Sequence, residues 1–286
     1  MGSGLPLTEW MSAESAGRTF TVAGGWGTAS GVVVSPPERG GWFGRGRGDS
    51  ARAPMVLLAP QWPGLEDALE FALADDALAV GLLRGGARVA RLRSVEFAGA
   101  PDPGMWIDAI LDALQSAAGG EGAAGLAGTG LAGTACALAS SRREDLALLV
   151  CAAAPSAEVM SRRTPENEDD PMWETSATLR LADRLAELAP LEAVTVFARP
   201  TLFVQGAVDA LLPAAHMEAW RAALAATGRT ADGIEVALAD GYFRMVSAEG
   251  DTAPEDDSGL ALLTDAVAAW TARTISRAGA AARRGP

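Results

Sequence analysis

The chain has 286 residues, 49% of them hydrophobic, enough to build one large domain or two small ones around a substantial core. Its 36 acidic residues outnumber 23 basic ones, and the formal net charge of −13 argues against nucleic acid or an anionic membrane as a partner. With no apolar run long enough to span a bilayer and no basic-then-apolar leader at its start, a soluble cytoplasmic protein is expected.

Residues 19–34 hold two short β-type runs, TFTVAGG and GVVVS, parted by glycines, and predict a hairpin. Residues 36–52 (PPERGGWFGRGRGDSAR) read as an exposed, flexible Gly/Arg loop that completes an N-terminal part, 1–53. An RGG-type RNA contact is the alternative there, and the acidic balance of the chain speaks against it. MVLLAP, residues 55–60, is a continuous apolar run, the mark of a strand covered on both faces. Helical spacing over 66–84 stops at Gly85-Gly86, and residues 87–93 read as a second strand. A helix over 106–118 also ends in glycine. AAGLAGTG then runs into LAGTACALASS as strand, sharp turn and small-residue helix, and DLALLVCAAAP, residues 145–155, is the next buried strand. The two cysteines, Cys136 and Cys151, sit in these Ala-rich segments and read as buried thiols, not a disulfide framework.

Residues 156–198 break the rhythm with an acidic ENEDD stretch, Trp173 and a helix-like run over 178–188, and read as a cap inserted over the sheet. The core resumes with a strand at 200–206, a helix at 214–226, a last strand in GIEVALAD and a closing helix over 259–275, leaving 276–286 as a tail. The core thus comprises 54–155 and 199–275. Strand–helix alternation of this kind predicts an α/β fold with a mostly parallel, doubly wound sheet.

Gly128, Gly130 and Gly133 satisfy the Gly-x-Gly-x-x-Gly spacing of a dinucleotide-binding turn. That turn wants an acidic residue about twenty positions on, and the following strand ends in CAAAP without one. No cofactor is therefore expected. A single histidine, His216, and no Cys-x-x-Cys pair give no ligand set for a transition metal. As a lone histidine within a helix, His216 is expected at the surface.

Residues 125–135, GLAGTGLAGTA, resemble the nucleophile elbow of the α/β-hydrolases, a Gly-x-Ser-x-Gly turn between a strand and a helix. Gly130 stands in the serine position, and Ala132 stands for the last glycine, with Gly133 following. Residues 200–213, PTLFVQGAVDALLP, resemble the strand and loop that present the family's acid, at Asp209. Residues 237–245, ALADGYFRM, resemble the late loop that carries the base, where Gly241-Tyr242-Phe243 replace His and its aromatics. MVLLAPQWPG resembles the first core strand, with Ala59-Pro60 replacing the usual His-Gly. The resemblance spans about residues 54–275 and implies the α/β-hydrolase fold with a short cap.

It also implies a scaffold with neither the nucleophile nor the base of the acyl-enzyme route. The family's oxyanion hole uses main-chain N–H groups after the nucleophile and after the first core strand. Here these are Leu131 and either Gln61 or Trp62, since Pro60 has no N–H. Such a cradle suits a non-hydrolytic acyltransferase, in which an acceptor bearing its own nucleophile attacks an activated thioester. Asp209, Thr129 or Tyr242 would orient the incoming group or handle its proton, while Trp62 and Trp173 would flank an aromatic acyl group beside Gly130 and Gly241. The expected partners are an acyl donor, free or on a carrier protein, and a small-molecule or peptide acceptor. Similar divergence occurs in specialised metabolism, and the acyltransferase of nosiheptide-type thiopeptide side-ring assembly is similar at the level of the fold. A catalytically inactive binding protein and a cyclase or isomerase remain as alternatives.

Overall fold

The computed structural model describes residues 6–36, 53–62, 69–119, 124–156, 176–208, 215–246 and 257–284. Its strands are β1 (Arg18–Gly24), β2 (Gly27–Val34), β3 (Met55–Leu58), β4 (Arg88–Phe97), β5 (Ala124–Thr129), β6 (Leu146–Ala152), β7 (Thr201–Gly206) and β8 (Asp232–Val236). Its helices are α1 (Pro6–Ser15), α2 (Leu69–Arg84), α3 (Pro103–Ala118), α4 (Gly130–Ser140), α5 (Ser176–Ala186), α6 (Pro190–Val196), α7 (Ala215–Ala225) and α8 (Ser258–Arg284).

The strands join into one eight-stranded sheet in the order β1-β2-β4-β3-β5-β6-β7-β8. β2 runs antiparallel to β1 and β4, and the pairings from β4 through β8 are all parallel. This is the mostly parallel sheet that the strand–helix alternation predicts. Alternate residues of β3 feed two cores: Met55 and Leu57 pack with α3, α4 and α7, whereas Val56 and Leu58 pack with α1, α2 and α8. Helices therefore cover both faces, which is why β3 and β5 are buried at every position and read as unbroken apolar or small-residue runs.

Several expectations change in detail. The hairpin of residues 19–34 is no separate unit: β2 pairs with β4 along its whole length, so β1 and β2 form one edge of the central sheet. That pairing also carries β4 to Phe97, past the expected end at 93. A helix missed in the sequence, α1, anchors the start of the described chain through Trp10, which is 1% exposed. α3 starts at Pro103 because the Asp102 carboxylate accepts from the Met105 N–H at 2.9 Å and Pro103 fills the first turn. β8 stops at Val236, where the chain turns through Leu238 at φ 57°. The expected tail from 276 continues α8 as far as Arg284.

Of the expected cap, 157–175 lies outside the described residues, as do 37–52. α5 and α6 form its described remainder and add Leu181, Leu185 and Val194 to the core shared by α3 and α4. Among the described residues no helix is long and apolar enough to cross a membrane.

The strand order fixes where a site belongs. From β3 the chain crosses to β4 on one side, and it then returns to lay β5 on the other. The crevice beyond the carboxyl ends of β3 and β5 is the topological switch point, the place where open α/β sheets bind ligands.

Candidate active site

Gly130 opens α4 at φ 54°, in the left-handed region that strains an ordinary side chain. The turn is also sterically closed. A Cβ on Gly128 would lie 2.7 Å from the Ala132 carbonyl carbon and 2.8 Å from the Gly133 nitrogen. One on Gly133 would meet the Ala154 Cβ at 2.7 Å. Strand and helix backbones thus cross at near contact around one residue of unusual φ, the geometry of an elbow. Thr129, the helix N-cap, makes no side-chain capping bond, so its hydroxyl is turned away from the first turn of α4.

That hydroxyl enters a buried polar ring. Thr129 Oγ1 donates to Asp75 Oδ1 at 2.5 Å, and Gln61 Nε2 donates to Thr129 Oγ1 at 2.8 Å and to Asp75 Oδ2 at 3.2 Å. Gln61 leaves the end of β3, Thr129 ends β5, and Asp75 comes from the second turn of α2. Burial pushes the Asp75 carboxyl up to about 6, against the pull of Arg91 and of the Thr129 and Gln61 hydrogen bonds, with Asp76 adding to the rise. Asp76 is raised too, mainly by burial, while Arg91 donates to it and opposes the shift. Sequence reasoning missed both acids. The visible signal was the adjacent pair Asp75-Asp76 inside an otherwise apolar helix, FALADDALAV, where no charge belongs without a partner.

Next to the elbow, the segment after β6 is held from two helices. Thr134 Oγ1 of α4 donates to the Pro155 carbonyl at 2.6 Å, and Trp220 Nε1 of α7 donates to the Ala154 carbonyl at 3.0 Å. His216, expected at the surface, is 1% exposed, and its Nδ1 accepts the main-chain N–H of Ser156 at 2.9 Å. The surface expectation fails because α7 packs inward at its first turn, toward the end of β6. With Nδ1 accepting, the neutral ring carries its proton on Nε2.

The loops after β7 and β8 meet beside the same edge. A Cβ on Gly206 would lie 2.1 Å from the Asp240 carbonyl oxygen, and the Val208 N–H donates to the Ala239 carbonyl at 3.0 Å. Asp240 organises the β8 loop: its Oδ1 accepts from the Tyr242 and Arg244 N–H groups at 2.8 and 2.9 Å, and its Oδ2 accepts from Arg244 Nε at 2.8 Å. Gly241 and Tyr242 are half-buried, the Arg244 guanidinium lies 5.1 Å from the Tyr242 ring centroid, and Phe243 is fully buried at φ 61°. Asp209 lies outside the described residues, one position beyond Val208.

On the β3 side, half-buried Trp62 packs edge-on against Trp106 at 5.2 Å and lies 6.4 Å from Phe97. Trp106 Nε1 donates to the Pro60 carbonyl at 3.2 Å, which ties this aromatic group to the loop carrying Gln61. Trp173 lies outside the described residues. Leu131 is buried on the first turn of α4. Cys136 and Cys151 are buried and free, and burial drives both thiols well up. No group of three His, Cys, Asp or Glu residues that could hold a metal occurs among the described residues.

No protein-family model matches the chain, and no curated protein is similar to it in sequence. Solved structures are similar in shape. Est1E from Butyrivibrio proteoclasticus superposes with a TM-score of 0.63 at 15% identity, covering 90% of this chain and 99% of its own. The esterase domain of a Rhodothermus marinus protein gives 0.60 at 15% identity, covering 91% and 99%. A dienelactone hydrolase from Anabaena variabilis gives 0.57 at 14% identity, covering 89% and 95%. With its strand order, its doubly wound sheet and these likenesses along nearly the whole length, the chain has the α/β-hydrolase fold.

Proposed function

We propose that the chain is a non-hydrolytic acyltransferase that moves an activated acyl group, carried as a thioester, to a nucleophile supplied by its second substrate, without an acyl-serine. The observation behind this reading is Gly130 at φ 54°: the elbow keeps its backbone geometry while the residue at its apex has no hydroxyl. Two main-chain donors, Leu131 N–H and that of Gln61 or Trp62, would receive the carbonyl oxygen as it gains charge. Each such donor is worth roughly 3 kcal/mol when aimed at the oxyanion. Holding acceptor and thioester in contact would add an effective-concentration advantage.

In this scheme the acceptor thiol or amine attacks the thioester carbonyl, the tetrahedral adduct forms, and the donor thiolate leaves with the acyl group on the acceptor. The acceptor's proton passes to the departing sulfur, and Asp209 or Tyr242 would relay it. Thr129, its hydroxyl buried and bonded to Asp75 and Gln61, would act through the elbow it supports and not on the incoming group. With neither serine nor histidine at the family's stations, water is a poor competitor and hydrolysis is suppressed. Trp62, with Trp173 from the cap, suits an aromatic acyl group; Est1E has been solved with ferulic acid bound, an aromatic acid. This arrangement would fit an acyl transfer in specialised metabolism, such as that of nosiheptide-type thiopeptide side-ring assembly, with a carrier protein as donor and a peptide as acceptor.

A second reading, a binding protein or a cyclase, draws on one observation: the Gln61 and Thr129 side chains are taken up by each other and by Asp75, so neither is spare to move an acceptor's proton. Incubation with aryl-acyl N-acetylcysteamine and carrier-protein thioesters, with thiol and amine acceptors, separates the two by mass spectrometry. Acyl transfer above the uncatalysed rate supports the first reading. Stable binding without transfer supports the second.

A further inference from the structure

We propose that Asp75 is a positioning residue for the acyl cradle: by accepting from Thr129 and Gln61 together, it locks the β3 loop to the elbow and sets the two main-chain donors against one point. The inference takes its chemistry from the acyl-transfer reading but stands on geometry of its own. The Gln61 amide has two hydrogens, and the ring uses both, one toward Thr129 Oγ1 and one toward Asp75. The Thr129 hydroxyl then has a single direction left for its proton, toward Asp75 Oδ1. With Asp75 ionised, both of its oxygens accept and all three bonds are satisfied at once. Gln61 bears one proposed donor N–H on its own backbone or on the next residue, and Thr129 is two residues from the other, Leu131. The ring is therefore a side-chain brace between the two halves of the hole.

The Thr129 hydroxyl and Gln61 amide need an acceptor at this position, and a neutral one would serve packing alone without the cost of a buried charge. The neighbours of Asp75 on α2, Ala74, Ala77 and Leu78, are buried and apolar, so the carboxylate is held there at a desolvation cost. The groups that face it are known: Arg91 on β4, Asp76 on α2, the Cys136 thiol on α4, and Thr129 and Gln61 in the ring. Arg91 donates to Asp76, which leaves Asp75 to the two neutral donors. Proton uptake by Asp75 removes an acceptor from the ring and loosens the brace, so the two amides of the cradle should report the same titration.

The test follows the Gln61 and Leu131 amide resonances of the ¹⁵N-labelled full chain through a pH series. Both are expected to shift with a common midpoint near that of the Asp75 carboxyl, and both lose the transition in Asp75→Asn. Thr129→Val should uncouple Leu131 while Gln61 still titrates, and Thr129→Ser should restore the coupling. Leu131 blind to the Asp75 titration, or an unchanged transition in Asp75→Asn, would overturn the proposal. With an aryl-acyl N-acetylcysteamine thioester, Asp75→Asn should lower kcat at least tenfold and leave KM within about twofold; an unchanged kcat would also overturn it. Absence of turnover in the wild-type chain counts against acyl transfer alone, because the amide titration still decides the brace.

Discussion

Gly128 and Ala132 lie in backbone contact: a single Cβ on the first would stand 2.8 Å from the carbonyl oxygen of the second. Four residues apart, they mark where β5 ends and α4 doubles back over it, and everything proposed for this site depends on that crossing. Neither partner is the tip of a flexible side chain that could swing aside. Gly128→Ala is therefore expected to destabilise the fold by about 2–3 kcal/mol, the upper part of the range for overpacking. Urea unfolding of the two proteins checks this through the shift in midpoint at constant slope.

Asp75 gives a pH dependence of defined sign. Its folded-state pKa of about 6 lies above the ordinary 3.8, so the folded protein holds a proton over an interval in which the unfolded chain has released it. Stability from this group therefore falls as pH rises from about 4 to about 6 and levels off above that. Two units correspond to about 3 kcal/mol. Asp75→Asn lacks this loss, so its stability relative to wild type should improve by about that amount between pH 4 and pH 7. Denaturant midpoints of both proteins across that interval measure the change, and a difference independent of pH would contradict it.

The single histidine makes the third prediction clean to read. His216 Nδ1 accepts the Ser156 N–H, so the ¹⁵N spectrum should show one imidazole in the Nε2–H form at neutral pH. His216→Ala leaves that main-chain N–H buried without its acceptor and opens a void at the end of β6. It should cost about 2–4 kcal/mol. A rapidly exchanging imidazole with both nitrogens titrating would place the ring in solvent, contrary to the packing seen here.

Much of this fold was legible because buried parallel strands announce themselves. MVLLAP, DLALLVCAAAP and PTLFVQG are dominated by apolar residues since both faces are covered, and the glycines of GLAGTGLAGTA betray a close backbone crossing. Asp75 escaped notice because its meaning lies in partners 14 and 54 residues away, which no local pattern contains. His216 was misjudged for the same reason: a helix position says little about which side faces the sheet. α1 stayed hidden because its sequence is mixed and its packing through the buried Trp10 decides it, and the extension of α8 because its Ala- and Arg-rich run carries no stripe of large apolar residues to mark it.

Gly130→Ser asks whether a hydroxyl on the turn between β5 and α4 confers hydrolysis. The substitution places a side chain at φ 54° and should cost about 1–3 kcal/mol. On the proposed placement of Gly241 at the family's base position, the variant is expected to show little esterase activity on p-nitrophenyl acetate and no rapid labelling by a fluorophosphonate. Strong esterase activity would mean that a base reaches the elbow from somewhere other than the β8 loop.

The most direct test of acyl transfer without an acyl-enzyme is the intact mass of the protein, quenched during turnover of an aryl-acyl thioester with a thiol acceptor. Acylated acceptor should accumulate while the protein mass stays unchanged at every time point. A stoichiometric acyl adduct on any side chain, formed and consumed at the rate of turnover, would contradict the account.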